Sequence, residues 1–389
     1  MSAAERLARL RLARAEGIGP AAVRALIARA GSAEAAVADL PRLARGRPVT
    51  LPAEEQIRRE AETLARLGAR LLLDTDPEYP EALAATEDAP LALAVAGNPL
   101  CLARRSVAIV GARNASAAAL VIAEKLAHDL AKAGLVVVSG LARGVDAAAH
   151  EGALAAGGVT VAVVAGGLDR PYPRQNAALQ ERIAATGAVV AEAPLGTAAM
   201  GRLFPRRNRI IAGLALGVVV VEAVLRSGSL LTARLALEAG RELFAVPGSP
   251  LDPRTRGSND LLRQGATLVE QAEDVLAALP AGLPSTPPQR RGALRPAAEA
   301  AEEQMGEAAE DETDPHEAGA HEMVAEGGDE VARARRHLAA LLSPAPVSVD
   351  EVLRRCPCTA AAVNAALADL DLEGRLDRLP GNRVALRRA

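Results

Sequence analysis

The sequence predicts an α/β protein: a doubly wound, mostly parallel sheet, with a helical segment before it and a small domain after it. Three observations carry this. From Ser106 onward, short valine-rich runs alternate with helical patterns of about 10–15 residues, as in a parallel sheet whose strands are buried on both faces. The runs end in glycine turns, above all Ser139-Gly140-Leu141-Ala142-Arg143-Gly144. Residues 281–330 lose all apolar period and hold 13 acidic against 3 basic residues, a net of −10, so a linker separates two folded parts.

Residues 1–73 read as helical, with breaks at Gly17, Gly31, Pro41 and Pro48. Glu16-Gly17-Ile18-Gly19-Pro20 lies between two short amphipathic stretches. Its glycines permit a hairpin with outward amides, and Pro20 suits the first helical position. Two readings stay open here: a helix-hairpin-helix that grips a phosphate, or a structural αα-hairpin. Residues 74–104 read as a poorly patterned connector.

The main domain spans residues 105–280. Strands are expected at Val107–Val110, Leu135–Val138, Val159–Val164, Ala188–Ala191, Val218–Val221 and Leu243–Val246, with a short one near Thr267–Val269. Helices are expected from Ser116 to about Ala133, then to Ala156 with Asp146 as its cap, at Gln175–Ala185, before the fifth strand, at Leu230–Ala239 and at Ala272–Leu279. Phe204 to Arg209 reads as an arginine loop. Residues 281–330 read as a disordered acidic linker. In residues 331–389, three helices (Val331–Leu342, Val349–Arg355, Thr359–Glu373) precede a hairpin at 374–386, the plan of a winged helix. Ala360–Leu372 stands where a recognition helix belongs, but it has no Arg or Lys and ends among Asp369, Asp371 and Glu373. Groove reading is not expected of it.

Composition narrows the function. The 389 residues carry a net charge of −3, yet residues 100–279 and 331–389 each carry +4, which suits a polyanion partner weakly. Cys101, Cys356 and Cys358 make no disulfide framework, and Cys356-Pro357-Cys358 lacks the second pair a metal site needs. No apolar run reaches the roughly 20 residues of a membrane span and no signal peptide is evident, so a cytoplasmic protein is expected. The core must be aliphatic, because Phe204, Phe244, Tyr79 and Tyr172 are the only aromatics.

Ligands of doubly wound sheets bind at the carboxyl ends of the strands. Arg113, Ser139, Arg143, Asp169, Arg170 and Ser227–Ser229 all follow strands, and Arg206–Arg209 lie between two. Strand, glycine turn and helix N-terminus at 134–150 bring amides, a positive dipole end and an arginine together, which is an anion site. His150 reads as packing or capping, and Asp169 as ordering a turn. No acid–base pair, Cys/His couple or metal spacing appears, so neither an enzyme nor a cofactor is expected. Gly111 does not open a dinucleotide fingerprint, since Arg113 and Ser116 stand where it requires glycine, and there is no Walker A sequence.

VAIVGAR (107–113), VVSGLARGVDAAAH (137–150), GGLDRPYPRQN (166–176), FPRRNRIIAGL (204–214), VVEAVLRSGSLLTARLALEAGRELFAVPG (220–248) and GSNDLLRQGATLV (257–269) resemble, in order and spacing, the DNA-processing protein A family, also called Smf. The resemblance is close over about residues 100–280, and the helical front and winged-helix tail fit the same plan. Ala112, where Ser is more usual, and Gly217-Val218 depart from it without touching the cationic set. The resemblance implies an extended Rossmann-like domain of natural transformation that binds and protects incoming single-stranded DNA, forms a homodimer and loads the RecA recombinase. It implies a DNA site of Arg113, Arg143, Arg206, Arg207 and Arg209, the amides of Gly111, Gly140, Gly144 and Gly228, and the polar groups of Ser139, Asn176, Asn208, Ser227 and Ser229. Phe204, an aromatic beside an arginine loop, is expected to stack a base, a core plug being the other reading. The competing function is a nucleotide-binding enzyme akin to nucleoside-monophosphate phosphoribohydrolases, whose loop glutamate is missing at Arg226–Thr232.

Overall fold

A computed structural model describes residues 1–40 and 49–282 and, beyond these, parts of 333–386. The chain divides into two compact units, Met1–Thr313 and Asp314–Ala389.

Nine strands of the first unit form one sheet: β1 (Ala69–Leu73), β2 (Ala92–Gly97), β3 (Ser106–Val110), β4 (Val136–Ser139), β5 (Thr160–Val164), β6 (Ala188–Ala191), β7 (Gly217–Val220), β8 (Glu242–Ala245) and β9 (Thr267–Leu268). Their order is β1-β2-β6-β5-β4-β3-β7-β8-β9. From β6 across to β9 all neighbours are parallel, whereas β2 is antiparallel to both β1 and β6. The winding reverses between β3 and β7, and the crevice above their carboxyl ends is where such a sheet takes a ligand.

The valine-rich runs form strands because both faces are covered. Ala108, Val110, Val138, Val163 and Val218 share a core with Ile210, Ile211 and Leu214 of the helix Leu203–Leu214 and Ala233 of the helix Gly228–Glu238. Their neighbours Val107, Ile109, Val137 and Val219 pack on the other face with residues of the helices Ala117–Lys132 and Val145–Ala155. Side chains of successive strand residues point to opposite faces, so one unbroken apolar run feeds two cores.

Two expectations change. The segment read as helical to residue 73 ends in a strand: Leu71 pairs with Ala94 and Leu73 with Ala92. Leu72 joins one core while Leu71 and Leu73 join another, which only a strand allows. Residues 74–104 likewise contribute β2, a short helix Glu81–Ala84 and a 3-10 turn Pro99–Ala103.

The helices Ala3–Ala13, Pro20–Ala30 and Ala33–Ala38 enclose Leu12, Val23, Ala33 and Ala36. Pro20 is the first helical residue, as its sequence position suggests. Arg14 fastens these helices to the sheet: it pairs with Glu60 at 2.8 Å and donates to the carbonyl of Glu192, just past β6, at 2.7 Å.

In the second unit β10 (Val347–Ser348), β12 (Arg383–Leu386) and β11 (Leu376–Leu379) form an antiparallel sheet around Leu338, Val352, Val363, Leu367 and Val384. The β11–β12 hairpin lies inside the 374–386 expected for the wing. The acidic stretch from 283 to 330 and parts of the helix expected at 360–372 fall outside the described residues.

Candidate functional site

Two loops build the crevice. After β3 the chain runs through Gly111, Arg113 and Asn114; after β7 it runs through Arg226 and Ser227 into the helix Gly228–Glu238. The buried carboxylate of Glu222 ties them together, accepting from the Ser116 amide at 3.1 Å and the Ser116 hydroxyl at 2.7 Å. Between the loops lies a cleft of about 430 Å³. Ser227 caps no amide of the helix it precedes, because its Oγ meets Ser229 Oγ at 2.9 Å. Gly228 and Ser229 therefore present first-turn amides and the positive end of the helix at the cleft wall.

The glycine turn after β4 forms the third side. Gly144 has φ +76°, and a Cβ there would come within 2.3 Å of the Ala112 carbonyl oxygen, so only glycine lets the two loops nest. At Gly140 a Cβ would lie 1.4 Å from Arg207 Nη1. The turn closes directly onto an arginine.

Asp146 is not the cap the sequence suggested. Gly144 holds the cap position, and Asp146 reaches back to the Gly140 and Ala142 amides at 3.2 and 3.4 Å. Burial pushes the Asp146 carboxyl up, against the pull of Arg207. Burial likewise pushes Arg207 down to about 10, with Asp146 opposing and Arg113 adding to the effect, so the guanidinium stays charged at neutral pH. Arg207 is 6% exposed; its Nη1 donates to the Val163 carbonyl at 3.2 Å, and its Nε has no hydrogen-bond partner. A buried cation with an idle donor is costly unless an anion completes it.

Residues 204–209 form the first turns of a helix, not a loop, and the helical period divides its arginines. Arg207, Asn208 and Ile211 line the cleft. Arg206 and Arg209 turn to Glu192 on the far side, at 3.6 and 2.5 Å, and Arg209 also pairs with Asp88. These two leave the expected rim. Phe204 is only 6% exposed, with Arg113 Cζ 4.8 Å and Arg207 Cζ 5.8 Å from its ring centroid. It is a floor for two guanidinium groups rather than an open stacking platform.

Ser139 also leaves the rim: wholly buried, it donates its hydroxyl to the Ile109 carbonyl at 2.6 Å. Asn176 is buried and donates to the Leu141 carbonyl at 2.8 Å, holding the glycine turn from behind. Asn208 donates to the Gly228 carbonyl at 3.2 Å and pins the second loop. Gly111, Arg113, Arg207, Asn208 and Ser227 through Ser229 do converge on the cleft. Gly140 and the exposed Arg143 flank a narrower opening beside it, with Tyr172 and Phe204. Asp169 accepts from the Gly196 amide at 2.8 Å, the turn-ordering part expected of it.

Arg226, Arg254 and Tyr172 are among the site residues that sequence reasoning did not name. Arg226 directly precedes Ser227-Gly228-Ser229 after β7, a signal that was available. Arg254, held by Asp252 at 2.7 Å, sits in the 3-10 turn Pro253–Thr255 that Asp252 caps, and Tyr172 lies in an irregular loop at the neighbouring opening. Behind the turn, the wholly buried His150 packs under β4 and β5. Thr160 gives its proton to the Val137 carbonyl, so His150 Nδ1 donates to Thr160 Oγ1 at 2.7 Å, and Nε2 is left without a partner. Among the described residues no helix is long and apolar enough to cross a membrane.

Residues 70–280 match the family model described as DNA recombination-mediator protein A. Residues 3–63 match a DprA-like N-terminal HHH domain, and residues 325–382 a DprA winged helix domain. The protein Smf of Escherichia coli (strain K12) is 38% identical over 320 residues, 82% of this chain and 78% of that one. The solved structure of DNA processing protein A from Streptococcus pneumoniae has a TM-score of 0.57 at 38% identity, over 64% of this chain and 83% of that one. The DNA processing protein A of Helicobacter pylori, described for its unique single-stranded DNA binding mode, has a TM-score of 0.50 at 31% identity, over 54% of this chain and 95% of its own.

Proposed function

The chain belongs to the DNA recombination-mediator protein A family, and from that premise we propose that its switch-point cleft binds single-stranded DNA. The observation that carries this is a cleft at the strand ends lined by four arginines, Arg113, Arg207, Arg226 and Arg254, together with the hydroxyls of Ser227 and Ser229. Phosphate oxygens are the anions that complete such a set: guanidinium forks, helix amides and hydroxyls bind them without regard to sequence. The Helicobacter pylori relative's described binding mode supports the single-stranded form.

We propose further, as the resemblance implies, that the bound strand is protected as it enters during natural transformation and passed to RecA in the cytoplasm by a homodimer. No turnover of nucleic acid or ATP is proposed. Among the described residues Asp146 is the one carboxylate lining the cleft, and it accepts from the Gly140 and Ala142 amides, which speaks against the nucleotide-hydrolysing reading.

Titration of labelled oligonucleotides across a salt series tests the core of the proposal. Affinity should fall with a log–log slope of about −0.7 per phosphate contact for single strands. Poly-pyrimidine and poly-purine strands should compete about equally, and blunt duplex should compete poorly. A duplex that wins the competition overturns the proposal. RecA's DNA-dependent ATP hydrolysis on strands precoated by a single-strand-binding protein tests the mediator half, since the chain should shorten its lag.

A further inference from the structure

Cys356-Pro357-Cys358 has no part in the DNA-binding reading, yet it sets two thiols two residues apart in a chain with three cysteines. In the second unit the pair falls between two helical stretches. Val352 and Leu353 are helical before it, and the Cys356 amide donates back to the Val352 carbonyl at 3.0 Å. Ala362 and Val363 are helical after it, where the Thr359 hydroxyl accepts from the Ala362 amide at 3.3 Å as an N-cap. Both cysteines belong to one core. Cys356 is 5% exposed and clusters with Leu338, Val352 and Val363, and the partly exposed Cys358 packs against that cluster. Residues two apart keep their Cα atoms within about 7 Å, which is the reach of a disulfide. Burial raises the Cys356 thiol above its usual range, and a hydrogen bond with the Cys358 side chain adds to this, while Arg333 opposes it.

We propose that Cys356 and Cys358 form a reversible dithiol–disulfide site that exchanges with low-molecular-weight disulfides of the glutathione class. Exposure assigns the order of the steps. The Cys358 thiolate, open to solvent, attacks one sulfur of the small disulfide, whose S–S bond breaks as one thiolate leaves. Cys356 then gives up its proton, attacks Cys358 Sγ in the mixed disulfide and expels the second thiolate. Each departing thiolate takes up the proton that a cysteine lost. Two protein thiols are thus oxidised while one small disulfide is reduced to two thiols. The new bond ties together the two ends of the link between the helical stretches. This site is independent of the DNA-binding reading.

Cys101 serves as an internal control. It is buried in the first unit, its thiol donates to the Asn98 carbonyl at 2.9 Å, and burial pushes it up to about 11. It therefore keeps its proton and stays out of exchange. The reduced full chain is to be incubated with oxidised glutathione, quenched with acid and alkylated in denaturant. Its three alkylatable cysteines should fall to one, and the peptide carrying residues 356 and 358 should lose the mass of two hydrogen atoms. Dithiothreitol should restore all three. Cys358→Ser should keep both of its remaining thiols, and Cys356→Ala should stop at the mixed disulfide, with one glutathione on Cys358. A wild type that keeps three thiols overturns the site. So does one that ends with glutathione on Cys358 and no internal bond, or with a bond to Cys101 or to a second copy of the chain. These wild-type readouts hold whether or not either variant folds. Glutathione taken up by Cys356 in Cys358→Ser overturns the assigned order.

Discussion

Two arginine clusters of the first unit look alike in sequence and differ in chemistry. At the junction of the N-terminal helices with the sheet, every clustered arginine meets a carboxylate: Arg14 with Glu60 at 2.8 Å, Arg6 with Asp76 at 2.6 Å, Arg24 with Asp74 at 3.2 Å and Arg209 with Glu192 at 2.5 Å. At the carboxyl ends of β3, β4 and β7, Arg113, Arg207 and Arg226 share a cleft with one carboxylate, Asp146. The first cluster is neutralised and holds the fold together. The second sets its guanidinium groups around an open cleft, where an anionic ligand can reach them. Arginine count thus says little about a site; where each guanidinium lands decides it.

The sharpest division of the clusters should come from Arg207→Ala. It removes the charge facing buried Asp146 and the donor to the Val163 carbonyl, and leaving such a buried acceptor unsatisfied costs about 1–3 kcal/mol. Denaturant unfolding should show that loss, and the folded fraction should bind single strands far more weakly at low salt. Unchanged stability and affinity together would erase the distinction between the clusters. Arg14→Ala breaks a buried ion pair and should cost about 3 kcal/mol, its side chain being 6% exposed and that of Glu60 10%. Its folded protein should bind oligonucleotides as the wild type does, and a selective loss of DNA affinity would move the clamp into the binding site.

Behind the cationic cluster, burial, with Arg207 adding to it, lowers the His150 pKa to about 3, against 6.5 in the unfolded chain. The unfolded state then binds the extra proton first, so stability is complete above about pH 6.5 and falls as pH drops toward 3. At pH 5 the loss is about 2 kcal/mol, and His150→Gln should flatten that part of the stability–pH curve. A curve of unchanged slope in the variant would place the acid sensitivity elsewhere. The smallest effect belongs to Arg143→Ala, which is exposed at the rim. Affinity should fall about tenfold at low salt, the salt slope should become shallower by about 0.7, and stability should stay within about 0.5 kcal/mol. A loss of affinity with an unaltered slope would mean that Arg143 touches no phosphate.

Local chemistry in the chain was enough to place the parallel sheet. The runs at 107–110, 188–191, 218–221 and 243–246 became β3, β6, β7 and β8 to within one residue, because β-branched side chains between glycine turns leave little else to form. The glycine turn at 139–144 and the cleft positions of Arg113 and Ser227 through Ser229 follow from the same strand-end logic. Tertiary contacts decided the rest. Leu71 to Leu73 are apolar in either helix or strand, and only pairing with β2, some 20 residues on, selects the strand. Arg206, Arg207 and Arg209 are one residue type within four positions, yet a helical period of 3.6 sends Arg207 to the cleft and the other two to Glu192. Ser139 is expected at the rim because it follows a strand and Phe204 because it stands beside an arginine loop, but burial is a property of the face on which a side chain lands. That face is set by which elements pack together, and no window of neighbouring residues contains it.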